Sequence, residues 1–247
     1  MPVLGIDIGS TATKAVVMDG GKLLETLLSP TGFSSIEAAE RVAATLSERG
    51  YARGECRCIA TGYGRIAVPY AEKVVTEITC HARGSDYLFG QDGVIVDIGG
   101  QDTKVITVKG GKVLHFIMND KCSAGTGKFL EIMANRLGTD PEKLSLLANK
   151  GRPTTISSLC TVFAETEVIS LIGSGTPRED IAYGVIESVV AKVATLAAKT
   201  VGERYFLTGG LCDNDYVVAR LQAKLGAPVL TKPLARYAGA IGAALQG

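Results

Sequence analysis

Two short stretches pair a strand-ending aspartate with a turn small enough to hold phosphate. They are Asp7-Ile8-Gly9-Ser10-Thr11-Ala12-Thr13-Lys14 and Asp97-Ile98-Gly99-Gly100-Gln101-Asp102-Thr103-Lys104. A turn of Gly, Ser and Thr exposes consecutive backbone N–H groups, and such turns bind phosphate oxygens. An Asp at the end of the preceding strand can hold Mg²⁺, usually through water. The stretches are copies: at an offset of 90, with Gly20-Gly21-Lys22 continuing onto Gly110-Gly111-Lys112, 8 of 16 positions are identical. Two such turns on opposed lobes would clamp a polyphosphate from both sides. Gly209-Gly210, after the strand-like 205–208, supplies a third close approach, suited to a flat adenosine. There is no Gly-x-x-x-x-Gly-Lys-[Ser/Thr] loop and no Gly-x-Gly-x-x-Gly after a strand. The chain is therefore not a P-loop protein, and a dinucleotide site is not expected.

The second source of chemistry is cysteine. Cys122 stands in Asn119-Asp120-Lys121-Cys122-Ser123-Ala124-Gly125-Thr126-Gly127-Lys128-Phe129, and Cys160 in Ser157-Ser158-Leu159-Cys160-Thr161-Val162-Phe163-Ala164-Glu165. Each lies just before a predicted helix, where the N-terminus stabilises thiolates and anionic clusters. The plain alternative for either is a small buried hydrophobe. Cys56-x-Cys58 alternates on a strand, and with no other Cys or His at ligand spacing it reads as packing. Cys80-His81 also reads as packing, Cys212 as a bystander beside Gly209-Gly210, and His115 as a solvated or structural strand position.

The elements that must position these residues are legible. Runs 3–8 and 13–18 form a hairpin. Ser34 to Arg49 is a helix, with Ser34 and Glu37 at capping-box spacing and Gly50 at its stop. Strands are predicted at 57–61, 74–78, 93–98, 103–108, 112–118, 205–208 and 228–230. Helices are predicted at 128–137, after Asp140-Pro141, and at 162–172, 177–199, 213–225 and 236–245. The 247 residues are 46% hydrophobic, enough for a real core. A net charge of +1 leaves no bulk electrostatic footprint for nucleic acid or an anionic membrane. Aromatics at 6% without Trp argue against a base-stacking platform. Met1-Pro2 passes straight into an apolar strand, and no window is long and apolar enough to span a bilayer. The expectation is a cytoplasmic chain with reduced thiols.

The two turns and the Gly-Gly strand end, in that order, resemble the nucleotide core shared by actin, sugar kinases and heat-shock chaperone ATPases. That resemblance implies an α/β chain with two lobes of ribonuclease-H-like fold and ATP in the cleft. With Gly5-Ile6-Asp7-Ile8-Gly9-Ser10-Thr11, Ala60-Thr61-Gly62-Tyr63-Gly64-Arg65 and the Cys122 and Cys160 segments added, the chain resembles a narrower group over nearly its whole length. This is the BadF/BadG/BcrA/BcrD ATPase family, which includes ATP-dependent activators of 2-hydroxyacyl-CoA dehydratases.

The family resemblance implies lobes at 1–90 and 91–247, with the last helix packing back on the first. It implies one [4Fe–4S] cluster shared by a homodimer, with Cys122 and Cys160 as each copy's ligands, and ATP with Mg²⁺. Ferredoxin or flavodoxin would donate the electron, and an iron–sulfur dehydratase or reductase would accept it. On that reading Asp7 orders Mg²⁺ and water, and Gly9, Ser10, Thr11, Ala12, Thr13 and Lys14 hold the outer phosphates. Asp97, Gly99, Gly100 and Gln101 form the facing loop, with Gln101 set to position the attacking water and Asp102 as a further catalytic candidate. Gly209 and Gly210 approach the adenosine. Lys14 is equally a solvated strand end, and Lys104 reads as one. Glu165 and Glu167, beside Cys160, either tune the cluster or form salt bridges at the subunit contact. The rival readings are a metabolite kinase on the same fold and a non-catalytic nucleotide-binding assembly protein.

Overall fold

The computed structural model describes residues 1–158, 160–200 and 202–247; Leu159, in the Cys160 segment, and Val201 lie outside the described residues. The strands are β1 (Val3–Ile8), β2 (Ala12–Asp19), β3 (Lys22–Pro30), β4 (Arg57–Thr61), β5 (Lys73–Val74), β6 (Gly93–Ile98), β7 (Thr103–Lys109), β8 (Lys112–Asn119), β9 (Tyr205–Gly209) and β10 (Val229–Leu230). The helices are α1 (Ser35–Glu48), α2 (Glu77–Phe89), α3 (Gly127–Arg136), α4 (Pro141–Ala148), α5 (Thr161–Gly173), α6 (Arg178–Ala197), α7 (Asp215–Leu225) and α8 (Ala238–Ala244).

One sheet has the order β3-β2-β1-β4-β5 and the other β10-β9-β6-β7-β8. Read from β8, the second order is the first with every strand advanced by five. The duplicated hairpin is thus the visible part of a duplicated sheet. In the first sheet β1 runs antiparallel to β2 and parallel to β4, with Asp7 opposite Lys14 in register. The chain divides into two compact units: residues 1–95 with 106–116 and 232–247, and residues 96–105 with 117–231.

Most of the elements predicted from the sequence are present, with boundaries shifted by a few residues. Ser34 caps α1, its side chain accepting from the Glu37 amide, and Asp140 caps α4, accepting from the Lys143 amide at 2.8 Å. Two differences have clear causes. Strand β3 has no counterpart in the sequence reading, because Leu23, Leu24, Leu27 and Leu28 recur at helical spacing; pairing with β2 along its whole length decides for strand. The predicted strand 74–78 stops at Val74, because Thr76 caps α2 and commits the following residues to helix.

In the first unit the core lies between β1, β4 and α1, around Leu4, Ile6, Ile8, Val42, Leu46 and Cys58. Helix α8 packs on β1 and α2 through small residues. A Cβ on Gly84 would overlap the Ala238 carbonyl, and one on Gly242 would overlap that of Cys80. Gly84→Ala is therefore expected to destabilise by about 3 kcal/mol. That corresponds to a fall of roughly 10 °C in the unfolding midpoint at this chain length, read by scanning calorimetry.

Candidate phosphate turns and cysteine pair

The first turn follows β1. Asp7 is the next-to-last residue of this buried strand and is only 3% exposed. Two glycines make room for it: a Cβ on Gly239 would lie 2.8 Å from Asp7 Oδ2, and one on Gly62 would overlap Oδ1. Lys14 Nζ stands 3.8 Å from Asp7 Oδ2. The Gly9 amide donates to the Ala12 carbonyl at 3.1 Å and closes the turn. Ser10 and Thr11 are exposed at its tip, whereas Thr13 is fully buried. Thr13 Oγ1 shares a 2.9 Å hydrogen bond with Thr31 Oγ1, and Thr31 Oγ1 donates to the Gly9 carbonyl at 2.7 Å. Thr13 therefore braces the turn from beneath.

Thr31 is a positioning residue that sequence reasoning missed, since it follows a strand that was itself unassigned. Gly62 borders Asp7, and His81 borders Gly239. Gly62 was visible only as part of a motif, and His81 Nε2 would lie 3.2 Å from a Cβ on Gly239, the glycine that also walls Asp7. His81 is buried and reaches Glu77 Oε1 at 4.0 Å. Thr31→Val would leave the Gly9 carbonyl without this donor. It should cost about 1–2 kcal/mol and raise the rate of amide exchange at Gly9, measurable by hydrogen exchange.

The second turn follows β6. Asp97 is 3% exposed and accepts from Thr208 Oγ1 at Oδ1, 2.8 Å away. The Gly99 amide donates to the Asp102 carbonyl at 2.9 Å. Gln101 is exposed at the tip. Gly209 has φ +85°, and a Cβ there would lie 3.0 Å from Asp97 Oδ1, so the Gly-Gly strand end and this aspartate are neighbours. Gly210 is exposed. Lys104 corrects an expectation: instead of ending a solvated strand, it is 2% exposed, with Nζ 2.7 Å from Asp102 Oδ1 and 3.5 Å from Asp97 Oδ2. Its partners lie two and seven residues away, and a strand-end lysine gives no sign of them in sequence.

The cysteine segments are tied to that second turn. The amides of Gly127 and Lys128, at the start of α3, donate to the carbonyls of Gly99 and Gly100 at 2.9 and 2.8 Å. Both carbonyls are thus engaged by α3, and turn N–H groups are the donors a phosphate needs. Thr103 Oγ1 donates to the Gly125 carbonyl at 2.6 Å, and Asn119 Nδ2 donates to the carbonyls of Cys122 and Ala124. Ser123 Oγ and Thr161 Oγ1 share a 2.6 Å hydrogen bond, which joins the residue after Cys122 to the residue after Cys160. Cys122 is half-buried, and Cys160 is exposed at the N-cap of α5 with no side-chain capping bond.

The remaining thiols are packed. Cys58 and Cys80 are buried, and burial pushes both thiols up to about 12. They are protonated and packed at neutral pH. Cys56 is half-buried and packs against the core around Cys58. Cys212 is buried, with Sγ 3.5 Å from Asp213 Oδ1.

Of the two glutamates beside Cys160, Glu165 pairs with Arg136 inside the chain. Glu167 accepts from the amides of Ser157 and Ser158 and holds the approach to Cys160. Desolvation pushes its carboxyl up, but these donors outweigh it and the net direction is down. A carboxyl depressed on folding stabilises above its unfolded pKa, and that stabilisation is lost as pH falls through the folded value. Amide exchange at Ser157 and Ser158, corrected for the intrinsic rate, should therefore accelerate as pH falls below the carboxylate range. Glu167→Gln should abolish that pH dependence.

The family model for the BadF/BadG/BcrA/BcrD ATPase family matches residues 4–247. The (R)-2-hydroxyglutaryl-CoA dehydratase activating ATPase of Acidaminococcus fermentans is 42% identical over 251 residues, covering 98% of this chain and 95% of its own. The crystal structure of component A of the same organism's dehydratase superposes with a TM-score of 0.95 at 39% identity, covering 100% of this chain and 97% of its own. The Clostridium difficile activator of 2-hydroxyisocaproyl-CoA dehydratase, solved with bound ADPNP, gives 0.94 at 35% identity, with 100% and 94% covered. At 18% identity and a TM-score of 0.65, a ROK family glucokinase from Streptomyces griseus shares the fold alone, with 100% of each chain covered. The fold is the actin-like ATPase fold that the resemblance implied.

Proposed function

Because the chain belongs to the BadF/BadG/BcrA/BcrD ATPase family, we propose that it is an ATP-dependent one-electron activator of a partner enzyme. The partner is a 2-hydroxyacyl-CoA dehydratase or a related CoA-ester or double-cubane reductase. The observation that carries the reading is the Ser123–Thr161 hydrogen bond, which sets the Cys122 and Cys160 segments side by side on the exposed start of α5.

The residues fit a [4Fe–4S] cluster shared between two copies. A cubane needs four thiolates. Each chain offers two accessible ones here, and a two-fold axis supplies the rest. Helix α5 suits a dimer contact: only Ala164 and Val168 are buried among its described residues, while Val162, Phe163, Ile169 and Ile172 are exposed, Phe163 at 67%. Apolar exposure of that kind marks an interaction surface. When bound, the cluster supplies a one-electron carrier whose potential follows its charge, hydrogen bonds and exposure.

The chain's own residues do the rest. Asp7 orders Mg²⁺ and water. Gly9, Ser10, Thr11 and Lys14 hold the outer phosphates, with Ala12 and Thr13 carrying the turn into β2. Gly99 and Gly100 present the second turn beneath Asp97, Gln101 positions the attacking water, Asp102 closes the turn, and Gly209 and Gly210 approach the adenosine. The second turn is joined to the Cys122 loop through backbone. The carbonyls of Gly99 and Gly100 are held by amides five and six residues beyond Cys122, and Thr103 holds Gly125. A change in the shape of this turn therefore reaches the Cys122 loop through three hydrogen bonds. The electron arrives from ferredoxin or flavodoxin. No helix among the described residues is long and apolar enough to cross a membrane, and the reading places the protein in the cytoplasm.

The test is anoxic purification followed by iron, sulfide and visible-spectrum analysis, with ATP hydrolysis measured with and without the partner enzyme. The expected result is a brown dimer with about four irons that hydrolyses ATP and activates its partner. Phosphate transfer from ATP to a metabolite by an iron-free protein would replace this reading with a kinase.

A further inference from the structure

The repeat makes Lys14 and Lys104 equivalent in sequence, and the structure treats them differently. Lys14 has a side chain 17% exposed and stands 3.8 Å from its aspartate, beyond hydrogen-bond distance. Lys104 is 2% exposed and meets two carboxylates, Asp102 at 2.7 Å and Asp97 at 3.5 Å. An ammonium is withdrawn from water only where partners replace its hydration, and breaking such a buried pair is costly. Asp102 serves the turn twice. Its carbonyl takes the Gly99 amide and closes the turn, and its carboxylate takes Lys104. Asp97 is fixed from its other oxygen by Thr208.

We propose that Lys104 is a positioning residue for ATP turnover. Its buried ammonium locks Asp102 and Asp97 together, so that the Gly99–Asp102 turn meets the terminal phosphate in one shape, while Lys14 is the lysine that touches phosphate. The proposal rests on the ATPase reading above. Its logic is preorganisation: misplacement of a reacting group by about 1 Å can cost 10²-fold in rate with little effect on binding. A lysine that binds phosphate directly acts on affinity instead.

The experiment separates these effects by measuring steady-state ATP hydrolysis and the Kd of a non-hydrolysable ATP analogue on the anoxically purified dimer. Lys104→Met, near in length but uncharged, should lower kcat by about 30-fold or more. Analogue Kd should stay within about threefold and iron content unchanged. Lys14→Met should instead raise Kd by about tenfold, the equivalent of one good ionic contact. If Lys104→Met does not fold, Lys104→Arg carries the test. It keeps the charge but spreads it over a planar fork, and it should fold with kcat reduced and Kd unchanged. Wild-type kcat in whichever Lys104 variant folds, or a raised Kd with kcat unchanged, would overturn the proposal while leaving the ATPase reading intact. A wild-type protein that hydrolyses no ATP would overturn both.

Discussion

Replacing either Cys122 or Cys160 with Ala is expected to strip the protein of iron and colour. The parent should carry about four irons per dimer, and each variant close to none. The size of the effect follows from the count. On the proposed reading each chain would supply two thiolates, and one substitution per chain would remove two of four ligands, because symmetry repeats it. The loss should be specific to the metal. Cys160 is exposed and its side chain makes no capping bond, so an alanine there removes little packing. A surface change of this kind costs about 0.5 kcal/mol or less. Cys122 is half-buried, and the loop around it is held by Asn119 and Thr103 through backbone carbonyls, which the substitution leaves in place. Nucleotide binding should therefore survive while activation of the partner is lost. Iron and sulfide analysis with the visible spectrum reads the first effect, and analogue binding reads the second. A full cluster in either variant would remove that cysteine from the ligand set. Cys160 is exposed, so a cluster held there would be open to oxygen, and air should bleach the parent.

The parts of this molecule that local chemistry specifies were legible in its sequence. The duplicated Asp-turn-Lys stretch was visible as 8 identities in 16 residues. It proved to be the surviving trace of two sheets with the same strand order. Caps at Ser34 and Asp140 were visible because a cap is a contact between residues three apart. What was not legible is what depends on partners distant in sequence. Thr208 reaches Asp97 across 111 residues, and Thr31 reaches Gly9 across 22. Lys104 read as solvated because lysine at a strand end usually is; only the fold shows that two carboxylates converge on it. Thr13 lies in the turn motif among residues that would face phosphate, yet strand alternation turns its side chain inward to Thr31.

Asp7→Asn should lower ATP turnover by about 10²- to 10³-fold, equivalent to roughly 3–4 kcal/mol of transition-state stabilisation, with iron content unchanged. The carboxylate sits where a buried strand meets the phosphate turn, in a space that Gly62 and Gly239 leave only by lacking a Cβ. Asparagine keeps that shape and removes the charge, so the variant should fold and still bind nucleotide, with a weakened response to Mg²⁺. Asp7→Glu tests the other half of the argument. It keeps the charge but adds a methylene to a space bounded by the two glycines and by Lys14, and it should rescue little. Gln101→Ala lies at the exposed tip of the second turn. It should reduce kcat by about 10- to 100-fold without changing analogue affinity, as loss of a water-positioning group does. Hydrolysis at the parental rate in both Asp7→Asn and Gln101→Ala would show that the phosphate turns lie elsewhere. Hydrolysis lost with iron intact would place nucleotide chemistry and iron binding on separate residues of one chain, joined by the hydrogen bonds from Gly127, Lys128 and Thr103.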